Sequence, residues 1–274
     1  MALTNLQAMN TGELLDRTFS LYRHHFLLFV GIAAVPQLFV LPLYLLLASA
    51  AQSGAGAAVM TAVSTVATAV LYLVVYGLSL AATVFAVSEV YLGRPVTIQQ
   101  AYGKMKTRAL RVIWIFLLIG LAAGPAFLLL IIPGVIVLAR LSLAVPAALL
   151  ENRGAVDSLN RSWRLAKGSV LRIAVVYTMA IVLNLIAAMI LAAPLAAFTG
   201  LAELAAPSAV STALLTQFVD AIAGALVAPL ITIALCLIYY DQRVRQEAFD
   251  LQLMMAELDG AGGGQPPASF TAAV

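Results

Sequence analysis

Five stretches of this chain, residues 26–50, 57–90, 112–150, 170–199 and 212–240, are almost wholly apolar. Apart from the first, each is longer than the roughly 25 residues at the upper end of what one α-helix needs to cross a bilayer core of about 30 Å, and the first just meets that length. Lipid offers no partner to a backbone N–H or C=O, so such runs are expected to fold as helices that satisfy their own hydrogen bonds. The composition agrees, because 63% of the 274 residues are hydrophobic, 10% are charged, and mean hydropathy is +1.03. That balance excludes a water-soluble globule. The one cysteine, Cys236, lies inside an apolar run, so no intrachain disulfide forms.

The run at 112–150 would measure about 58 Å as one straight helix, nearly twice the hydrocarbon thickness. It holds two helix-breaking pairs, Gly124-Pro125 and Pro133-Gly134. Two short spans fit it better, with the turn at Pro133-Gly134, and the predicted set becomes 26–50, 57–90, 112–131, 134–150, 170–199 and 212–240. Charge supports the same count. Basic residues between the spans fall at Arg17 and Arg23, at 92–111, at 151–172, and at Arg243 and Arg245, and none falls at 51–56, 120–134 or 200–211. The positive-inside rule then places the basic loops and both termini in the cytoplasm.

The segment before the first span carries Glu13 and Asp16, unlike a cleaved signal peptide. Residues 259–274, rich in Gly, Pro and Ala, are expected to be a disordered tail after a single domain over 1–258.

Residues 15–27 (L-D-R-T-F-S-L-Y-R-H-H-F-L) align with 159–171 (L-N-R-S-W-R-L-A-K-G-S-V-L), with the same residue or residue class at most positions. On a helix, Leu15, Phe19, Tyr22 and Phe26 share one face, and Leu159, Trp163, Ala166 and Val170 take the same phases. A weaker copy follows Pro95. There Thr97 and Gln100 form a capping-box pattern, as do Asn10 and Glu13 in the first copy. The expected architecture is all-α: six spans as three repeats, each an amphipathic interfacial helix followed by a helical hairpin. The interfacial helices fall at about 11–25, 97–111 and 157–170, with a further cytoplasmic helix at 241–258 striped by Val244, Ala248, Leu251, Met255 and Leu258.

Basic helices with an aromatic face lie in the headgroup plane of anionic membranes. Arg17, Arg23, Arg161, Arg164 and Lys167 are therefore candidate lipid-binding residues. The alternative is that these helices are elbows that set the angle of the next span. Arg140 is the one basic residue well inside a span, where a lone charge costs roughly 2.5–3.5 kcal/mol, so a partner is expected: Asp220 first, Glu89 second. Such a pair serves either as an anion site or as a structural ion pair. Gly120-Leu-Ala-Ala-Gly124 is a small-residue packing face. His24 and His25 are adjacent and point to different faces, and neither a phosphate loop nor a nucleophile elbow is present.

The segments G-E-L-L-D-R-T-F-S-L-Y-R-H-H-F, P-G-V-I-V-L-A-R-L-S-L-A-V-P-A-A-L-L-E, S-L-N-R-S-W-R-L-A-K-G and Y-Y-D-Q-R-V-R-Q-E-A-F-D-L, in that order, resemble the bacterial glycerophosphoryl diester phosphodiesterase membrane-domain family over about residues 9–258. The resemblance implies a six-span domain of the bacterial inner membrane, joined in some relatives to a soluble phosphodiesterase. Catalysis in those relatives belongs to the soluble part and is not implied here.

The expected function is a non-enzymatic membrane module, a scaffold or an anionic-phospholipid-binding domain, with no cofactor, metal or nucleic acid. A protein partner or a second copy would meet its cytoplasmic helices. The competing expectation is a transporter or channel with a polar site around Arg140 and Asp220.

Overall fold

The computed structural model describes residues 9–50, 57–91, 93–203 and 209–247, and within them the chain is helical with no strand. Helix α1 (Thr11–His24) starts at the expected capping box: Glu13 N–H donates to Asn10 Oδ1 at 2.8 Å, and Asn10 N–H donates to Glu13 Oε2 at 2.9 Å. The chain then bends by 82° into α2 (Phe26–Ala50). After α3 (Ala57–Tyr91), the Thr97 and Gln100 box starts α4 (Ile98–Met105), and a 3₁₀ turn at Lys106–Arg108 leads into α5 (Ala109–Leu129). Helices α6 (Ile131–Leu141), α7 (Ala144–Leu150), α8 (Ala155–Leu165), α9 (Val170–Glu203) and α10 (Ala209–Glu247) follow.

Five helical segments of the described residues are long and apolar enough to cross a membrane: Ala62–Tyr91, Ala109–Leu129, Ile131–Leu150, Val170–Pro194 and Thr216–Glu247. The bent pair α1 and α2 makes a sixth if it counts as one. Helix α10 forms the axis of the bundle, packing against α9, α2, α1 and α3, and its stretch from Ile233 to Tyr239 is buried throughout. Ala81, Ala82 and Ala86 on α3 are fully buried, and their small side chains allow close helix packing. Outward faces remain apolar, as at Leu128, Ile131, Leu171, Ile181 and Met189. A contiguous apolar exterior of this kind suits a membrane-spanning protein.

The hairpin between α5 and α6 differs from the expected one. The reversal is at Leu130, whose backbone is extended (φ −161, ψ 147), and Pro133 sits in the first turn of α6, where its missing N–H has no intrahelical bond to make. Gly134 is needed for close approach, because a Cβ there would stand 2.4 Å from the Phe127 ring. Gly120 and Gly124 have nothing within 4 Å of a built Cβ, so the expected packing face meets no other helix among the described residues. The expected helix at 241–258 continues α10 without a break as far as Glu247. The rest of its stripe, and the tail at 259–274, lie outside the described residues.

Proline removes a backbone donor and leaves a carbonyl bare one turn earlier, which is costly in lipid. Pro36 bares the Ile32 carbonyl, and Tyr102 of α4 donates its hydroxyl to that oxygen at 2.6 Å, with the Ser79 hydroxyl 3.4 Å away. Tyr22 of α1 donates at 2.8 Å to the carbonyl of Leu226, the residue after Ala225, whose own carbonyl Pro229 leaves bare. The break between α6 and α7 is closed from α8. There the buried Ser162 hydroxyl donates to the Arg140 carbonyl at 2.6 Å and accepts from Leu143 N–H at 3.1 Å. Helices α1, α4 and α8 thus each lend a hydroxyl to a neighbouring interrupted span.

Tyr102→Phe is expected to cost about 1 kcal/mol of stability, because the Ile32 carbonyl then keeps only the longer bond from Ser79. In a Pro36→Ala background, which restores the backbone N–H, most of that cost should vanish. A double-mutant cycle on thermal unfolding in detergent measures the coupling.

Candidate functional site

Most charged residues of the described chain gather at one end of the bundle, around the last turns of α10. The Asp241 side chain is completely buried. It accepts from Met9 N–H at 2.8 Å, from Arg172 at 2.6 Å and from Arg245 at 2.9 Å. Both arginines also donate to the Met9 carbonyl, at 2.9 and 2.7 Å. The two cations are thereby fixed by the carboxylate and by the backbone that leads into α1, and the start of α1 is tied to the start of α9 and the end of α10.

Glu151, just after α7, is the second anchor. It accepts from Arg161 Nε at 2.9 Å, from the Tyr239 hydroxyl at 2.6 Å, and from Arg153. Arg161 also pairs with Glu247, which in turn receives Arg243 at 3.3 Å. Burial pushes the Glu151 carboxyl up, but the hydrogen bonds from Tyr239 and Arg161 and the arginine charge outweigh it and hold it below its ordinary range.

Of the five candidate lipid-binding residues, Arg161 is not available. Its side chain is 12% exposed and two carboxylates compensate its charge, so it is a structural ion-pair member. Arg17 lies with its guanidinium 5.6 Å above the Tyr91 ring and one nitrogen 3.7 Å from Met9 Sδ. Arg23, Arg164 and Lys167 are exposed. The inward faces of α1 and α8 are Leu14 with Thr18 and Ser158 with Ser162 and Leu165, which leaves Phe19, Phe26 and Trp163 about 40% exposed. Arg153, just before α8, and Asp157, Asn160, Trp163 and Arg164 on it line a shallow depression of about 400 Å³.

The pairing expected for Arg140 is not formed. Its guanidinium stacks 4.6 Å over the Trp163 ring, and its Nε is buried with no hydrogen-bond partner among the described residues. Arg140 ends α6 beside Ser162, at the level of Arg161 and Glu247, whereas Asp220 is exposed and lies more than five turns before Asp241, roughly 30 Å along the helix. Glu89 faces Arg94 at 4.0 Å instead. With the turn at Leu130 and not at Pro133-Gly134, Arg140 lies about three residues further from the hairpin, where α8 and not α10 is its neighbour.

Sequence reasoning passed over Asp241, Glu151, Arg172, Arg245 and Tyr239. The available signal was an acidic residue at the very end of an apolar run, facing basic loops: L-L-E-N-R at 149–153 and Y-Y-D-Q-R at 239–243. Residues 84–241, more than half of the chain, match the family described as Domain of unknown function (DUF7847). No curated protein and no solved structure matches the chain.

Proposed function

The chain belongs to the family described as Domain of unknown function (DUF7847), and from the arrangement of its charged end we propose that it is a non-enzymatic membrane module that holds anionic phospholipid on its short helices. In this reading it crosses the membrane six times as three repeats, each an interfacial helix and a helical hairpin, with the bent pair α1 and α2 giving one crossing. The charged end with both termini faces the cytoplasm, and the membrane is the bacterial inner membrane, as the resemblance to the glycerophosphoryl diester phosphodiesterase membrane domains implies. A protein partner or a second copy meets the same end.

The observation that supports lipid binding is the pairing of exposed aromatics with exposed cations: Trp163 beside Arg164 and Lys167, and Phe19 and Phe26 beside Arg23. Aromatic rings settle at the interface, and each cation near an anionic surface contributes about 1 kcal/mol. A transport path through Arg140 and Asp220 lacks support, since the two residues stand at different levels.

Trp163 reports on this directly. In a Trp114→Phe background reconstituted into vesicles, brominated phosphatidylglycerol should quench its fluorescence more strongly than brominated phosphatidylcholine. Arg164→Ser with Lys167→Ser should remove the difference. Equal quenching by the two lipids in the unsubstituted protein would overturn the reading.

A further inference from the structure

We propose that the cleft between α3, the α4 turn, α7 and α10 is a binding site for a zwitterionic phosphate, a phosphate that carries a short ammonium arm. The cleft is separate from the α8 surface and does not rest on the reading given for it.

The cleft encloses about 280 Å³ and is lined by Phe85, Glu89, Lys104, Thr107, Arg108 and Leu149, among others. That is just below the ordinary range for small-ligand pockets, about 300–1,000 Å³, so it suits a headgroup and not a whole lipid. It opens beside the short helices α4 and α7.

Opposite charges face this space without neutralising each other. Lys104, Thr107 and Arg108 are spaced i, i+3 and i+4 across the 3₁₀ turn, which brings two cations and a hydroxyl to one side. The Lys104 ammonium rests 4.9 Å over the Phe85 ring and forms no ion pair among the described residues. Arg108 is anchored by one nitrogen, which donates to the Leu149 carbonyl at 2.9 Å, leaving the other donors of its fork for a ligand. Glu89 is 13% exposed, and Arg94, its ion-pair partner, stands 4.0 Å away on the solvent side.

Phe85 and Glu89 are one turn apart on the same face of α3, so the cation held over Phe85 and the Glu89 carboxylate are separated by about 6 Å of helix rise. A two-carbon arm between phosphate and ammonium bridges such a gap. A plain anion would meet the carboxylate as a repulsion, and a plain cation would meet Lys104 and Arg108. The mixed charge therefore selects a zwitterion whose ammonium can still donate hydrogen bonds.

The test is calorimetric titration of the full chain in mild detergent with dihexanoyl-phosphatidylethanolamine, dihexanoyl-phosphatidylglycerol, dihexanoyl-phosphatidylcholine and soluble phosphoethanolamine. Phosphatidylethanolamine should bind most tightly of the lipids. Soluble phosphoethanolamine binding equally well identifies a free zwitterion as the ligand, and its failing to bind while the lipid does identifies the headgroup; either result supports the site. Glu89→Gln should weaken phosphatidylethanolamine about tenfold and strengthen phosphatidylglycerol, while Lys104→Gln should weaken both, since a charge-assisted hydrogen bond is worth roughly 1.5–3 kcal/mol. Both changes are near-isosteric at the cleft wall, and an unshifted thermal midpoint shows that the fold is intact. Glu89→Gln strengthening both lipids alike would make this a plain anion site and overturn the proposal, as would no preference among the three lipids.

Discussion

Asp241→Asn is expected to destabilise the protein more than any other single change at the charged end, by about 3–5 kcal/mol, because it leaves two arginines partly buried without their counter-charge. The carboxylate is fully enclosed and takes hydrogen bonds from Met9 N–H, Arg172 and Arg245 and a longer one from Gln242. Asparagine keeps the volume and one acceptor but loses the charge. Arg172 is the costlier of the two to strand, since its side chain is 19% exposed against 42% for Arg245. The thermal midpoint in detergent should fall by about 10 °C. Cys236, buried on the same helix, should react faster with a thiol reagent as α10 loosens. Adding Arg172→Gln should recover part of the loss, because the uncompensated charge is then gone. An unchanged midpoint in Asp241→Asn contradicts this account of the anchor.

The second large effect is at Glu151 and depends on pH. Glu151→Gln removes the charge that Arg161 and Arg153 face and weakens the acceptor of the Tyr239 hydroxyl, at a cost of about 2–3 kcal/mol near neutral pH. The folded carboxyl titrates below its ordinary value of 4.5. Its contribution is therefore complete above that value and disappears as pH falls through the lower, folded one. The natural protein should lose stability over this acid range, and Glu151→Gln should flatten that limb while lying below it at neutral pH. Parallel pH profiles for the two proteins would show that Glu151 is not the titrating anchor.

The apolar runs made the helical membrane class plain, because nothing but helices satisfies the backbone across such lengths of lipid. Both capping boxes were equally legible, since each is written in four consecutive residues. Longer-range partnerships were not. That Pro36 would borrow a hydroxyl from Tyr102, or that Ser162 would close the break after Arg140, depends on how short helices fold back onto spans, and periodicity carries no such information. Arg140 shows the same limit. The turn before it lies at Leu130, about three residues earlier than expected, and its neighbour Trp163 comes from α8 folding back onto the break after α6, which periodicity does not show. Arg161 read as a lipid-facing cation because its carboxylate partners, Glu151 and Glu247, come from other parts of the chain.

The most direct measurement of the proposed role is native mass spectrometry of the protein extracted under mild conditions. The natural sequence is compared with Arg23→Ser, Arg164→Ser and Lys167→Ser combined, three exposed positions whose replacement leaves the buried anchors untouched. Acidic phospholipid should accompany the natural protein and be lost from the variant. Acidic phospholipid retained undiminished by the variant would contradict lipid binding on the short helices.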